Sequence, residues 1–142
     1  MDSARAQLET NFFGPLRLTQ AFAPVLAANG GGALLNVLSI ASWISRPQLA
    51  VYAASKAAAW GLTNALRNEL RPQGTQVLGL HMGFVDTDLT HGIDAPKSSA
   101  DDIVRVALDA LEAGAEEVLA DEITRQVKRG LSSEPGVYLG GN

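Results

Sequence analysis

Cysteine is absent from the 142 residues. That removes disulfide bridges, thiol nucleophiles and zinc–thiolate sites. A positive excess is also missing: 11 Lys and Arg stand against 15 Asp and Glu, a net charge of −4. With no basic stripe either, no nucleic-acid partner is expected. No apolar run approaches the roughly 20 residues that span a bilayer, so no membrane partner is expected. Asp2, Arg5 and Glu9 break the N-terminus with charge where a signal peptide would be apolar, and the expected location is cytoplasmic. What is present is an ordinary globular balance, 46% hydrophobic and 18% charged, which argues against disorder. The length suits one domain with one core, residues 1–142.

Apolar residues at Leu8, Phe12, Phe13, Leu16, Leu18, Phe22 and Val25 recur at helical intervals, predicting a helix over 3–26. Asp2 or Ser3 is the candidate cap. Pro15 removes one backbone donor, and the apolar pattern stays in phase beyond it, so a kink is expected instead of a break. Asn29-Gly30-Gly31-Gly32 reads as a turn. The run 33–38 is nearly all apolar, the pattern of a strand covered on both faces. A helix is predicted over 49–70, stopped by Arg71-Pro72-Gln73-Gly74. A second buried strand is predicted at 76–81, and a third helix at 100–111, capped by Ser99 with Asp101 and Asp102 at its positive end. A short strand at 117–120, a modest helix at 122–129 and a loosely ordered tail from Ser132 complete the chain. Strands alternating with helices imply right-handed crossovers and a parallel sheet. Ligands of such sheets sit beyond the carboxyl ends of the strands, where the polar loops after Leu38 and His81 lie.

Tyr52 and Lys56 stand four apart and share a helix face. An ammonium beside a phenol favours the phenolate, which suits such a hydroxyl to general acid/base work. Taken alone the pair reads more readily as a surface tyrosine beside a solvated lysine, because short motifs match by chance. Ser39 ends a strand thirteen residues earlier, where its hydroxyl can donate to a substrate oxygen or simply serve a turn; Ser42 is its rival. Asn11, mid-helix, either faces solvent or needs a polar partner. His81 reads as a hydrogen-bonded core histidine, Trp43 and Trp60 as packing residues with Trp43 close enough to Ser39 to line a pocket. His91 with Asp86, Asp88 and Asp94 reads as a solvated loop instead of a metal site. Glu112, Glu116, Glu117, Asp121 and Glu122 read as a solvated face.

Asn11-Phe12-Phe13-Gly14, Leu35-Asn36-Val37-Leu38-Ser39, Tyr52-Ala53-Ala54-Ser55-Lys56 and Gly83-Phe84-Val85-Asp86-Thr87 follow the order and spacing of the short-chain dehydrogenase/reductase family. The resemblance runs from about residue 4 to residue 90. It implies the C-terminal half of that family's α/β fold, a partial Rossmann-like doubly wound parallel sheet of three strands with flanking helices. It implies an oxidoreductase that interconverts a small-molecule alcohol and carbonyl with NAD or NADP. By the same resemblance Tyr52 is the general acid/base, and Lys56 tunes Tyr52 and holds the nicotinamide ribose. Ser39 orients the substrate oxygen, Asn11 positions a water leading to the lysine, and Gly83, Val85 and Thr87 form the loop that meets the nicotinamide. A homodimer or homotetramer through helices 3–26 and 49–70 is also implied.

Two departures stand out. Met82 occupies the position before Gly83 that is usually proline, which is expected to loosen that loop. The glycine-rich strand–turn–helix that takes the pyrophosphate in this family has no counterpart here, because Gly30-Gly31-Gly32 follows a helix and precedes a strand. Cofactor binding by this chain alone is therefore expected to be weak. A non-catalytic, truncated chain that oligomerises or binds a partner stays open as the alternative.

Overall fold

The structure is a computed structural model that describes residues 1–86, 91–92 and 96–140. The chain opens with α1 (Asp2–Leu8), a π-helical turn (Glu9–Phe13) and α2 (Gly14–Ala28), which form one continuous rod. Neither Asp2 nor Ser3 caps it by a side-chain bond, since α1 already begins at Asp2. The kink expected at Pro15 takes the form of this widened turn. A proline ring collides with the carbonyl four residues back and offers no N–H to it. Here that carbonyl belongs to Asn11, and the turn widens so that Gly14 donates to Glu9 instead. Pro15 then falls in the first turn of α2, where a missing donor costs little.

After α2 the glycine turn reverses the chain, Gly31 N–H donating to Leu26 C=O at 2.9 Å. A side chain at Gly31 would come within 2.5 Å of the Gly74 carbonyl, so two glycine turns meet here. They align the starts of β1 (Gly32–Val37) and β2 (Thr75–His81), which pair in parallel from Gly32↔Thr75 to Val37↔Leu80. Between them runs α3 (Ala50–Leu70), which supplies the crossover. β2 then pairs with β5 (Glu117–Leu119), giving the order β1-β2-β5. A separate two-residue parallel ladder joins β3 (Val85–Asp86) to β4 (Ser98–Ser99), an element that the sequence reading did not include. α4 (Ala100–Glu112) follows with Ser99 as its cap, and α5 (Glu122–Gly130) follows β5 with Asp121 as its cap. The tail makes a short 3-10 turn at Val137–Leu139. Among the described residues no helix is long and apolar enough to cross a membrane.

Both faces of β2 are covered. On one, Leu66 and Leu70 of α3 pack on Val77, joined by Ala23 and Leu34. On the other, Ile103 and Ala107 of α4 pack on Leu80, joined by Leu35, Met82 and Val118. Each Leu, Ile or Val side chain fully buried in this way contributes about 1.5–3 kcal/mol of apolar burial. β1 departs from its expected cover: Val37 is 52% exposed, and among the described residues β1 pairs with β2 alone. Asn36 in mid-strand is satisfied by Thr63 of α3, its Nδ2 donating to Thr63 Oγ1 at 3.0 Å.

His81 closes β2 and is 1% exposed. It is a core histidine that stacks on Trp43, and the backbone of Ser39 lies close enough to favour its charged form. Its ring lies 4.2 Å from that of Trp43, Trp43 meets Trp60 edge-on, and among the described residues His81 Nδ1 meets no full hydrogen-bond partner. Desolvation pushes the imidazole down to about 4 from 6.5, against the upward pull of the Glu117 carboxylate. Between those two values the unfolded chain binds a proton that the folded chain refuses. Stability is therefore fully present above pH 6.5 and is lost as pH falls toward 4. His81→Phe, which keeps the stack on Trp43, is expected to flatten that dependence by about one proton. Denaturant titrations above and within the window check this, and equal slopes in both proteins contradict it.

Candidate active site

Ser39 follows the C-terminal end of β1 with an extended backbone, and its Oγ accepts from Ala41 N–H. That bond (3.0 Å) uses a lone pair and leaves the hydroxyl proton free to donate outward. Ser39 thereby caps the 3-10 turn Ile40–Ser42, which packs against α3 and brings the serine beside the helix that carries Tyr52. Ser42, its rival, is buried at 7% exposure, whereas Ser39 is half-buried. Trp43 is buried in the stack with His81 and Trp60, so it serves packing.

Tyr52 and Lys56 lie one turn apart on α3, with Lys56 Nζ 5.9 Å from the Tyr52 ring centre. Lys56 Nζ donates to Val37 C=O at 3.0 Å. Leu38 N–H faces β2, where it meets Leu80 C=O at 2.7 Å. By strand alternation the Val37 carbonyl faces the opposite edge of β1, which no strand among the described residues pairs, and the lysine covers it. Burial of this ammonium lowers its pKa from the usual 10.5, since desolvation disfavours the charged form. Two of its three donors remain for other oxygens.

Asn11 sits in the π turn, and its Nδ2 donates to Ser55 Oγ at 3.0 Å. Ser55 is fully buried and donates in turn to the Tyr52 carbonyl at 2.7 Å. The amide of Asn11 is thus committed to cross-linking the first helix to α3 at the turn that bears Tyr52. Its own backbone carbonyl receives no donor from Pro15. Beside these residues a groove of about 410 Å3 runs between α2 and β1, lined by Asn11, Leu18, Phe22, Val37 and Lys56 among others.

Beyond β2 the chain turns at Gly83, whose N–H donates to Asp121 Oδ2 at 2.8 Å. A β-carbon there would lie 3.0 Å from Ile123 Cγ2, a tight contact that glycine avoids. The Met82 carbonyl accepts from Ile40 N–H at 3.0 Å. The peptide after Met82 is accordingly held at both ends by hydrogen bonds although no proline precedes Gly83. Val85 pairs through its backbone with Ser98; Thr87 lies outside the described residues, as do Asp88 and Asp94. His91 is exposed, and among the described residues no group of three or more His, Asp or Glu could hold a metal ion.

Asn11, Tyr52 and Lys56 are therefore joined through Ser55 and α3. Ser39 is joined to the same helix by its turn, and to Gly83 through Ile40 and Met82. Two contributors went unread in the sequence. Ser55 appeared only inside the motif, although a small polar residue in line with Ala59, Thr63 and Leu66 marks the buried stripe of α3. Asp121 was assigned to a solvated face, yet an Asp three residues before Thr124 is a cap signal, and its carboxylate also takes Gly83. Glu117 likewise turns inward in part, beside His81 and paired with Lys128. Glu116 and Glu122 do lie on the surface, paired with arginines.

Residues 1–98 match the family model for short chain dehydrogenase. A short-chain dehydrogenase of Penicillium crustosum is 45% identical over 83 residues, which are 58% of this chain and 30% of that protein. Dehydrogenase/reductase SDR family member 7B of Danio rerio is 32% identical over 95% of this chain and 46% of its own length. Among solved structures, a short chain dehydrogenase from Burkholderia cenocepacia in complex with NADP superposes with a TM-score of 0.89 at 38% identity, over 96% of this chain and 57% of that one. The chain spans about a third to somewhat over half the length of these relatives. The chain belongs to the short-chain dehydrogenase/reductase family.

Proposed function

We propose that this chain carries the proton-transfer centre of an NAD(P)-dependent oxidoreductase that interconverts an alcohol and a carbonyl. One observation carries the reading: Tyr52 and Lys56 stand one turn apart at the carboxyl ends of the parallel strands, on a helix cross-linked at Tyr52 by Ser55 and Asn11. The donor set fits a dinucleotide. Lys56 keeps two donors for ribose hydroxyls, and a relative of the same fold was solved with NADP. The nicotinamide, when bound, supplies or accepts the hydride.

The chain's own residues handle the proton. Ser39, with its lone pair engaged by Ala41, donates to the substrate oxygen and steadies the charge developing there. Tyr52 gives its phenolic proton to that oxygen in reduction and removes it in oxidation. Lys56 holds positive charge near the ring while that happens. Asn11 fixes the turn of α3 on which Tyr52 rides. Gly83 and Val85, with Thr87 by sequence, bound the side nearest the nicotinamide.

A second reading, a partner-binding chain without turnover, is favoured by the edge of β1 that no strand pairs among the described residues and by the exposed Leu18, Phe22 and Val25 of α2. Assembly is compatible with either reading. We propose a homodimer or homotetramer through helices 3–26 and 49–70, and light scattering at micromolar concentration is expected to show a dimer or larger. A stable monomer contradicts it.

In turnover assays with NAD(H) or NADP(H) and a panel of alcohols and carbonyls, Tyr52→Phe is expected to lower turnover by about 10²–10⁴-fold, the scale of general acid/base catalysis. Its fold should stay intact, because only the hydroxyl is lost. Lys56→Met is expected to lower the rate and raise the KM for cofactor. Near-normal turnover in Tyr52→Phe overturns the assignment. Among the described residues no glycine-rich turn opens a helix toward a pyrophosphate, so calorimetric titration of this chain with either cofactor is expected to show only weak binding. A micromolar constant contradicts that expectation.

A further inference from the structure

We infer that the Asp121 carboxylate is a positioning residue for Ser39, acting through the single peptide unit between Met82 and Gly83. The inference rests on the role given to Ser39 above. The N–H end of that peptide, on Gly83, donates to Asp121 Oδ2 at 2.8 Å. Its C=O end, on Met82, accepts from Ile40 N–H at 3.0 Å. Ile40 follows Ser39 directly, and the next amide, Ala41 N–H, holds the Ser39 oxygen at 3.0 Å. A peptide unit is planar and rigid, so fixing the direction of its N–H fixes the direction of its C=O. A bond to a carboxylate is also roughly twice as strong as one between neutral groups. It polarises the amide and so strengthens the carbonyl opposite as an acceptor.

Asp121 is itself well anchored. Its Oδ1 accepts from Thr124 N–H at 2.9 Å and from the Thr124 hydroxyl, and Thr124 is fully buried. Oδ2 lies 3.5 Å from Ser98 Oγ. The residue before it, Ala120, donates its N–H to His81 C=O at 2.9 Å, which ties this end of β5 to β2. The glycine at 83 eases the arrangement, because a β-carbon there would lie 3.0 Å from Ile123 Cγ2. Ordinary capping of α5 needs only Oδ1. The second oxygen reaches across 38 residues of sequence to a loop that capping does not require. A hydroxyl that must meet charge developing in a transition state has to be placed within about 0.5 Å, and a rigid relay from a buried frame supplies such placement.

Two variants separate this role from capping. Asn and Ser both cap helices well, so Asp121→Asn and Asp121→Ser preserve α5. The first sets an amide in place of the carboxylate against Gly83 N–H, and the second is too short to reach it. Backbone amide NMR on this chain is expected to show the Gly83 and Ile40 amides exchanging about ten-fold or more faster in both variants, the scale of a lost hydrogen bond to a charged group. The Ile40 and Ala41 resonances should shift, while Val77 and Arg125 keep wild-type behaviour. In the turnover assay kcat is expected to fall about ten-fold, more than the cofactor KM rises. Wild-type exchange and shifts at Ile40 in both variants overturn the relay. A displaced Ile40 with undiminished kcat overturns its bearing on Ser39. Failure of the functional reading shows separately, as turnover that survives Tyr52→Phe, and the Ile40 amide still reports on the relay in that case.

Discussion

Leu38 N–H meets Leu80 C=O at 2.7 Å, and Ile40 N–H meets Met82 C=O at 3.0 Å, so the ladder between β1 and β2 continues past the ends of both strands. Everything at the candidate site inherits its position from this in-register parallel pairing. It sets Ser39 beside the turn at Gly83, and it holds both next to α3, the crossover helix between the two strands. The pairing is fixed at the other end by the meeting of the Gly31 and Gly74 turns, where no side chain fits. A shift of one residue would turn the alternating side chains of β1 to the opposite faces. It would also part Leu34 and Leu35 from the two clusters they join.

Polar residues inside the helices carry the second layer of the design. Ser55 and Thr63 of α3 are fully buried and Thr19 of α2 nearly so. A buried hydroxyl without a partner is costly, and each of these has one. Thr19 and Thr63 donate to the carbonyls of Pro15 and Ala59, four residues back on their own helices. Ser55 and Thr63 also accept amide bonds from other elements, from Asn11 and from Asn36. These bonds join the π turn and β1 to fixed points along α3. Lys56 shows the same economy: burial works against its ammonium, and the Val37 carbonyl at the open edge of β1 compensates by accepting from it.

Much of this was legible in the sequence. Local signals placed α4 and its Ser99 cap, the stop after Leu70 at Gly74, and the alternation of strands with helices that dictates a parallel sheet. Tyr52 and Lys56 were legible as a local pair on one helix face, whereas the roles expected of Asn11 and Ser39 came from the family resemblance. What escaped depends on distant partners. The openness of β1 is set by which strands lie beside it, and an apolar run reads the same at an edge as in the middle of a sheet. Pro15 announced a disturbance, but not that a widened turn would absorb it at Asn11. Asp121 looked like one more surface carboxylate because its second oxygen finds its partner 38 residues away. The Met82 loop looked loose for the same reason, its two hydrogen bonds coming from Ile40 and Asp121.

The central claim is that the carboxyl ends of β1 and β2, with the Tyr52 face of α3, form the surface that meets a nicotinamide dinucleotide. Backbone amide NMR of this chain titrated with NADP or NAD at millimolar concentration tests it without requiring turnover. The account predicts that the resonances of Ser39, Ala41, Tyr52, Lys56 and Gly83 move first and furthest, along one saturable curve. Perturbations confined to other surfaces, or none at these residues as the cofactor saturates, contradict it.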